Sequence, residues 1–216
     1  MKCGGRFFLG LLLTTICFLS TSEAQTLKPV KLPAPQTEGG RPLMQALKER
    51  KSTRDFGPGT LSAQTLSNLL WAAFGINRPD GRRTAPSAMN WQEVDIYVAA
   101  PDGVYIYDAK GNALTPVLAG DFRSNTGTQS FVKEAAVNLV YVSDLSKTGG
   151  ASSTEAEMYT AADVGFIAQN VYLYCASEGL ATVVRASIDK TALAKTLNLR
   201  ANQKIVLAQS VGYPKN

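Results

Sequence analysis

Between Thr154 and Glu178, Met158, Ala162, Gly165, Gln169, Tyr172 and Ala176 recur at three- or four-residue intervals, and the positions between them are also mostly apolar. A helix that is apolar around most of its circumference must be covered around most of it. Whatever fold the chain adopts therefore has to place this segment between other layers. Gly165 in its interior costs about 1 kcal/mol relative to alanine, which predicts close approach of another backbone or a ligand at that point. Gly179 then ends the helix.

The remaining pattern supplies the layers. Pro42 suits a first helical turn, and Leu43, Met44 and Leu47 keep helical spacing as far as Arg50. Ser62 is placed as an N-cap, with Leu61 and Leu66 as a hydrophobic staple, for a helix that runs through Leu69, Leu70 and Ala73 to Gly75. The period then drops to two. Val94, Ile96 and Val98 alternate with Asp95 and Tyr97, Pro101-Asp102-Gly103 marks a turn, and Val104 to Tyr107 forms a second strand closed by Lys110-Gly111-Asn112. A helix is expected at Ser130–Ala135 and buried strands at Val137–Val142, Ala181–Arg185 and Ile205–Val211. Asp189 caps a helix over Lys190–Leu197. Helices interleaved with hairpins predict an α+β fold or a three-layer α/β sandwich.

With 216 residues, 45% of them apolar and 18% charged, the chain has material for one core, and a single domain is expected. The net charge of +5 is scattered except around Arg50, Lys51 and Arg54, which suits one phosphate better than a nucleic-acid surface. The chain has no histidine, so histidine-based triads and histidine zinc sites are excluded. The chemistry must come from carboxylates, hydroxyls, a thiol or a borrowed cofactor.

Residues 1–24 carry Lys2 and Arg6 ahead of an apolar run from Phe7 to Leu19 and end on Ser22-Glu23-Ala24, the pattern of a secretory signal peptide cleaved before Gln25. An uncleaved anchor is the alternative. Cleavage leaves Cys175 as the sole cysteine, so no internal disulfide can form. Residues 25–40 hold three prolines and end in Gly-Gly, which predicts an exposed linker ahead of a domain at 41–216.

Two segments could carry chemistry. If Arg50-Lys51-Ser52-Thr53-Arg54 is extended, Arg50, Ser52 and Arg54 turn to one side as a phosphate clamp; the alternative is a solvated basic turn after a helix. Pro86-Ser87-Ala88-Met89-Asn90-Trp91-Gln92 can bring amides and hydroxyls against a polar ligand at a strand's edge, or can be a surface loop of incidental polarity. On the long helix, Asp163, Gln169 and Asn170 need partners, either within a core or at a subunit interface. Cys175 reads as a small apolar filler.

Taken in order, these segments resemble the nitroreductase family of FMN-dependent oxidoreductases over roughly Arg41–Pro214. Arg50–Arg54 is similar to its flavin-phosphate signature, and Pro86–Gln92 to its loop beside the isoalloxazine. The helix with Asp163, Gly165, Ala168, Gln169 and Asn170, followed by Gly179-Leu180, also matches. The hairpin with Asp102-Gly103 and Val104–Asp108 is closer in pattern to the branch of peptide azoline oxidases than to compact nitroaromatic reductases.

The resemblance implies a three-layer α/β/α sandwich with a mixed, mostly antiparallel sheet and a long central helix. It implies FMN held at its phosphate end by Arg50, Lys51, Ser52 and Arg54. Pro86, Ser87, Ala88 and Asn90 would line the ring from the same subunit or its partner in an intertwined homodimer. Gln129 would contact the ring, and Val184–Ser187, including Arg185 and Ala186, would bring amides toward flavin N5. The family's C-terminal basic pair is reduced here to Lys215, with Arg185 as a partial substitute for the phosphate. The expected protein is an exported oxidoreductase acting on a small organic or peptide substrate; a noncatalytic exported flavin- or nucleotide-binding protein is the alternative. Export raises the question of the electron donor, because reduced nicotinamides belong to the cytoplasm and residues 1–24 hold no twin-arginine pair.

Overall fold

The computed structural model describes residues 1–2 and 27–215, so the export signal read over residues 1–24 lies almost wholly outside the described part. In chain order the elements are β1 (Val30–Lys31), α1 (Leu43–Glu49), α2 (Ala63–Phe74), β2 (Val94–Ala99), β3 (Gly103–Asp108), β4 (Ala113–Ala119), β5 (Val137–Asp144), α3 (Ser153–Glu178), β6 (Ala181–Arg185), α4 (Lys190–Thr196) and β7 (Gln203–Gly212). The strands form one sheet in the order β1-β4-β3-β2-β5-β7-β6, and every neighbouring pair is antiparallel.

Alternation along the central strands builds two cores. Ile96 and Val98 of β2 and Leu139 and Tyr141 of β5 face α2 and α3, where they meet Leu69, Leu70, Val164, Ile167 and Val171. The intervening Tyr97, Ala99, Val140 and Val142 face the other way and pack with Leu193 and Leu197 of α4 and its end. A period of two in the sheet with helices on both sides gives the three-layer α/β/α sandwich. The expected caps hold: Ser62 Oγ accepts from Thr65 N at 3.0 Å, and Asp189 Oδ1 accepts from Ala192 N at 2.9 Å. Leu61 and Leu66 both pack against the first core. Ser152 and Glu155 close a capping box on α3, and Gly179 ends it in the left-handed conformation at φ 71°. Ser130–Lys133 forms a short 3-10 turn within the expected helix at 130–135.

Three expectations need correcting. The segment read as an exposed linker is exposed along most of its length but is tied down: Val30 and Lys31 pair with Leu114 and Ala113, and Leu32 is buried in the main core. Pro33 O accepts hydrogen bonds from Ser67 Oγ and Asn112 Nδ2. Burying one leucine contributes about 1.5–3 kcal/mol, enough to hold a strap against the sheet edge. The long helix is covered on one side only. Ala156, Asp163, Ile167 and Val171 are buried, whereas Met158 is 58% exposed and Phe166 48%. Nothing among the described residues approaches Gly165; a Cβ added there would meet no atom within 4 Å.

Candidate functional site

Thr53 N donates to Thr182 O at 2.9 Å, which lays the segment after α1 alongside β6. The extended backbone turns alternate residues apart, as the period of two requires. Ser52 Oγ lies 2.8 Å from Tyr172 Oη, and the Arg50 guanidinium sits 5.3 Å from the centroid of the Tyr172 ring. The same tyrosine oxygen accepts from Val184 N at 2.9 Å. Tyr172 thus ties the Arg50–Ser52 pair to the start of Val184–Ser187. Lys51 turns the other way, with Thr53 and Asp55, into a cavity of about 600 Å3 that Lys215 also lines. Tyr172 lines the same cavity, so Lys51 stays near the tyrosine that Arg50 and Ser52 contact. Arg54 is exposed and makes no side-chain hydrogen bond among the described residues.

Gln129 belongs to this cluster. Thr128 N donates to Ser187 O at 3.0 Å, which places Gln129 beside Ala186 and Ser187. Its Oε1 is buried with no hydrogen-bond partner among the described residues. A buried amide oxygen without a donor costs about 1–3 kcal/mol, so it marks a place where a ligand donor fits. Ala186 and Ser187 are exposed.

The Arg185 side chain does not join them, which corrects its expected share in holding phosphate. It is 6% exposed and points into the sheet. It donates to Thr126 O, to Thr126 Oγ1 at 2.9 Å, to Asn138 Oδ1 at 3.0 Å and, through Nε, to Ser210 Oγ at 3.2 Å. Burial without a carboxylate lowers its pKa to about 10. Gly127 is the residue that allows this approach, since a Cβ there would collide with the guanidinium.

The second expected segment lies elsewhere. Ser87 Oγ accepts from Gln92 N at 3.0 Å, Gln92 Nε2 donates to Asn90 Oδ1 at 3.1 Å, and Arg83 Nε donates to Gln92 Oε1 at 2.8 Å. Met89, Asn90 and Gln92 all adopt positive φ, at 49°, 56° and 49°. Left-handed backbone at non-glycine residues costs of order 1 kcal/mol each and concentrates where a loop must present particular groups. Asp163 of α3 holds the loop from below, its Oδ2 accepting from Ala88 N at 2.9 Å. Trp91 packs edge-on to Tyr159 at 5.8 Å. Asp163 has found the partner that its position demanded.

Behind the loop, Glu93 is fully buried and neither carboxyl oxygen has a hydrogen-bond partner among the described residues. Burial raises its pKa, and the neighbouring Asp163 raises it further; burial also raises that of Asp163. Burial likewise pushes the Cys175 thiol up, so it stays a packed, protonated side chain.

The two clusters meet α3 at different levels. Tyr172 and Asp163, their respective anchors, are nine residues apart on α3, which is roughly 13 Å of rise, and both are buried, at the two margins of the helix face that the fold covers. Sequence reasoning named the clamp and the loop but missed Tyr172 as the joint and Glu93 as the buried acid. The signal for Tyr172 was its place in the repeating pattern of the long helix, whereas Glu93, just ahead of the expected strand, carried none.

Residues 47–213 match the model of the nitroreductase family. A nitroreductase-type protein of Methanocaldococcus jannaschii is 30% identical over 151 residues, covering 65% of this chain and 76% of the relative. The crystal structure of a Ralstonia eutropha protein assigned to the nitroreductases superposes with a TM-score of 0.85 at 40% identity, covering 89% of this chain and 92% of that one. The NADPH:FMN oxidoreductase of Vibrio harveyi, solved with NAD+, shares the fold at a TM-score of 0.61 and 20% identity, over 81% of this chain and 69% of that one. With the family model matching most of the chain and the fold superposing on a relative at 40% identity, this chain belongs to the nitroreductase family and is a nitroreductase-type oxidoreductase.

Proposed function

We propose that the protein is an exported FMN-dependent oxidoreductase that works as a homodimer and passes an electron pair to a small organic or peptide substrate. The observation that carries the FMN reading is the orphaned Gln129 Oε1, set beside the exposed Ala186–Ser187 segment and tied through Val184 and Tyr172 to Ser52 and Arg50. Arg50, Ser52 and Arg54 would hold the phosphate end through charged hydrogen bonds. Gln129 and the backbone of Ala186 and Ser187 would meet the ring. When bound, FMN supplies hydride and electron-pair chemistry that no amino-acid side chain provides. The residues themselves bind and orient, and their amide donors stabilise negative charge developing on the ring.

Two features support the homodimer. The basic segment and the Pro86–Asn90 loop are anchored at opposite margins of the buried face of α3, roughly 13 Å apart along it, an arrangement in which a second copy would bring its loop to each basic segment. Leu43, Met44 and Leu47 of α1 and Met158 and Phe166 of α3 leave large apolar side chains exposed on helices that pack together. Export rests on the basic and apolar pattern of residues 1–24. A peptide acceptor is the second reading, suggested by the likeness of the Asp102–Asp108 sequence pattern to that of the peptide azoline oxidases.

Anaerobic reduction of the FMN-loaded protein by NADH or NADPH, followed by an acceptor, tests turnover. Bleaching of the flavin band by the donor and its return with the acceptor is expected. Flavin that binds but that neither a nicotinamide nor a peptide substrate bleaches would leave a binding protein without turnover.

A further inference from the structure

The Pro86–Asn90 loop also walls a cavity of about 380 Å3 whose remaining lining is dominated by Arg78, Arg82 and Arg83. Among the described residues, the one ion pair made by these three guanidinium groups is Arg82 with Asp80, at 3.6 Å and exposed on both sides. Arg83 is committed to the fold, donating to Gln92 Oε1 and, at 2.9 Å, to Phe74 O, with its guanidinium 4.9 Å from the centroid of the Phe74 ring. Arg78 gives one nitrogen to Arg83 O at 3.1 Å, and Arg82 keeps, among the described residues, no side-chain partner beyond its exposed contact with Asp80. Three like charges brought to one hollow repel one another, and an anion seated among them reverses that. The forked donors that Arg78 and Arg82 keep available suit a carboxylate or a phosphate.

We propose that this cavity binds the anionic group, a carboxylate or phosphate monoester, of the molecule that exchanges electrons with the flavin, and that Arg78 and Arg82 determine this specificity. The proposal rests on the FMN reading above, because it is the loop assigned to the flavin that forms the shared wall. Uncharged reactants of the same size bind less well, and the preference weakens with added salt.

The test uses the FMN-loaded protein and two probes of nearly the same shape, benzoate and benzamide, titrated by calorimetry and by the visible spectrum of the flavin. Benzoate is expected to bind at least tenfold more tightly than benzamide, with inorganic phosphate competing for its place. The benzoate-to-benzamide ratio is expected to fall at least tenfold in the Arg78→Glu, Arg82→Glu double variant, whose altered side chains are exposed. Equal affinity for the two probes in flavin-containing protein, or a ratio unchanged by the double variant, overturns the proposal and leaves the flavin reading standing. Protein that takes up no FMN contradicts the flavin reading and overturns the assignment of the anion to a flavin reactant, whatever its preference for benzoate. The source of the anion is separated by comparing NADPH with NADH as donors. A preference for NADPH that Arg82→Glu abolishes places a donor phosphate in the cavity; no such preference, with benzoate selectivity intact, places the acceptor's carboxylate there.

Discussion

The hydroxyl of Tyr172 lies 2.8 Å from Ser52 Oγ and accepts the backbone N–H of Val184, so one buried tyrosine links the basic segment after α1 to the end of β6. Removing that oxygen leaves Val184 N without its partner and frees Ser52. Tyr172→Phe is expected to lose about 1–2 kcal/mol of stability by urea unfolding and to weaken FMN binding severalfold. Unchanged stability and flavin affinity would show that the link has no mechanical role.

Arg185 offers a sharper contrast with Arg54. The first is buried among neutral acceptors from Thr126, Asn138 and Ser210, and the second is exposed. Arg185→Ala is expected to cost about 3 kcal/mol or more, because it strips the partners from buried polar groups and opens a cavity. Arg54→Ala is expected to stay within about 0.5 kcal/mol in unfolding and to show its effect in FMN affinity instead. Thermal melts and flavin titrations of both variants check the division.

The buried Glu93 predicts a pH dependence with a definite sign. Its carboxyl is held above its ordinary 4.5 by burial and by Asp163, so the folded protein keeps a proton that the unfolded chain has released. Stability from this group is greatest below about 4.5 and falls as pH rises through the raised value. Asp163, raised from its ordinary 3.8, adds in the same direction. Glu93→Gln is expected to flatten the decline in urea midpoint between about pH 4 and about pH 8. An equally steep decline in the variant would assign it to other groups.

Much of this was legible because local chemistry and tertiary packing agree. Ser62 and Asp189 cap the helices that their neighbours predict, and the alternation at Val94–Val98 marks a strand with two covered faces. Where the sequence misled, a longer-range contact decided the outcome. Nothing in the Pro-rich stretch before Gly40 signals that Leu32 enters the core, since that depends on β4 being available to pair with Val30. β4 itself was hidden by Pro116, which a strand tolerates here because its only other neighbour is the two-residue β1. Of the site, the residue types at Arg50–Arg54 and Pro86–Gln92 were readable. Their anchoring at the two margins of the buried face of α3 was not, because it is set by which residues of the helix each segment meets.

The exposed apolar side chains of α3 give the dimer its test. Met158→Glu with Phe166→Glu places charges on a face that a second copy would cover, and is expected to shift the protein from dimer to monomer in sedimentation. A wild-type protein that sediments as a monomer at all concentrations would contradict the two-chain site.

The most direct measurement is an FMN titration of the purified protein beginning at Gln25, followed by visible absorbance, alongside an Arg50→Ala, Arg54→Ala variant. About one FMN per protomer is predicted for the wild type, with affinity reduced more than tenfold in the variant, since each charged hydrogen bond lost is worth about 1.5–3 kcal/mol. A wild type that takes up no flavin, or a variant that binds it equally well, would contradict the assignment of Arg50, Ser52 and Arg54 to the phosphate and with it the account of the site.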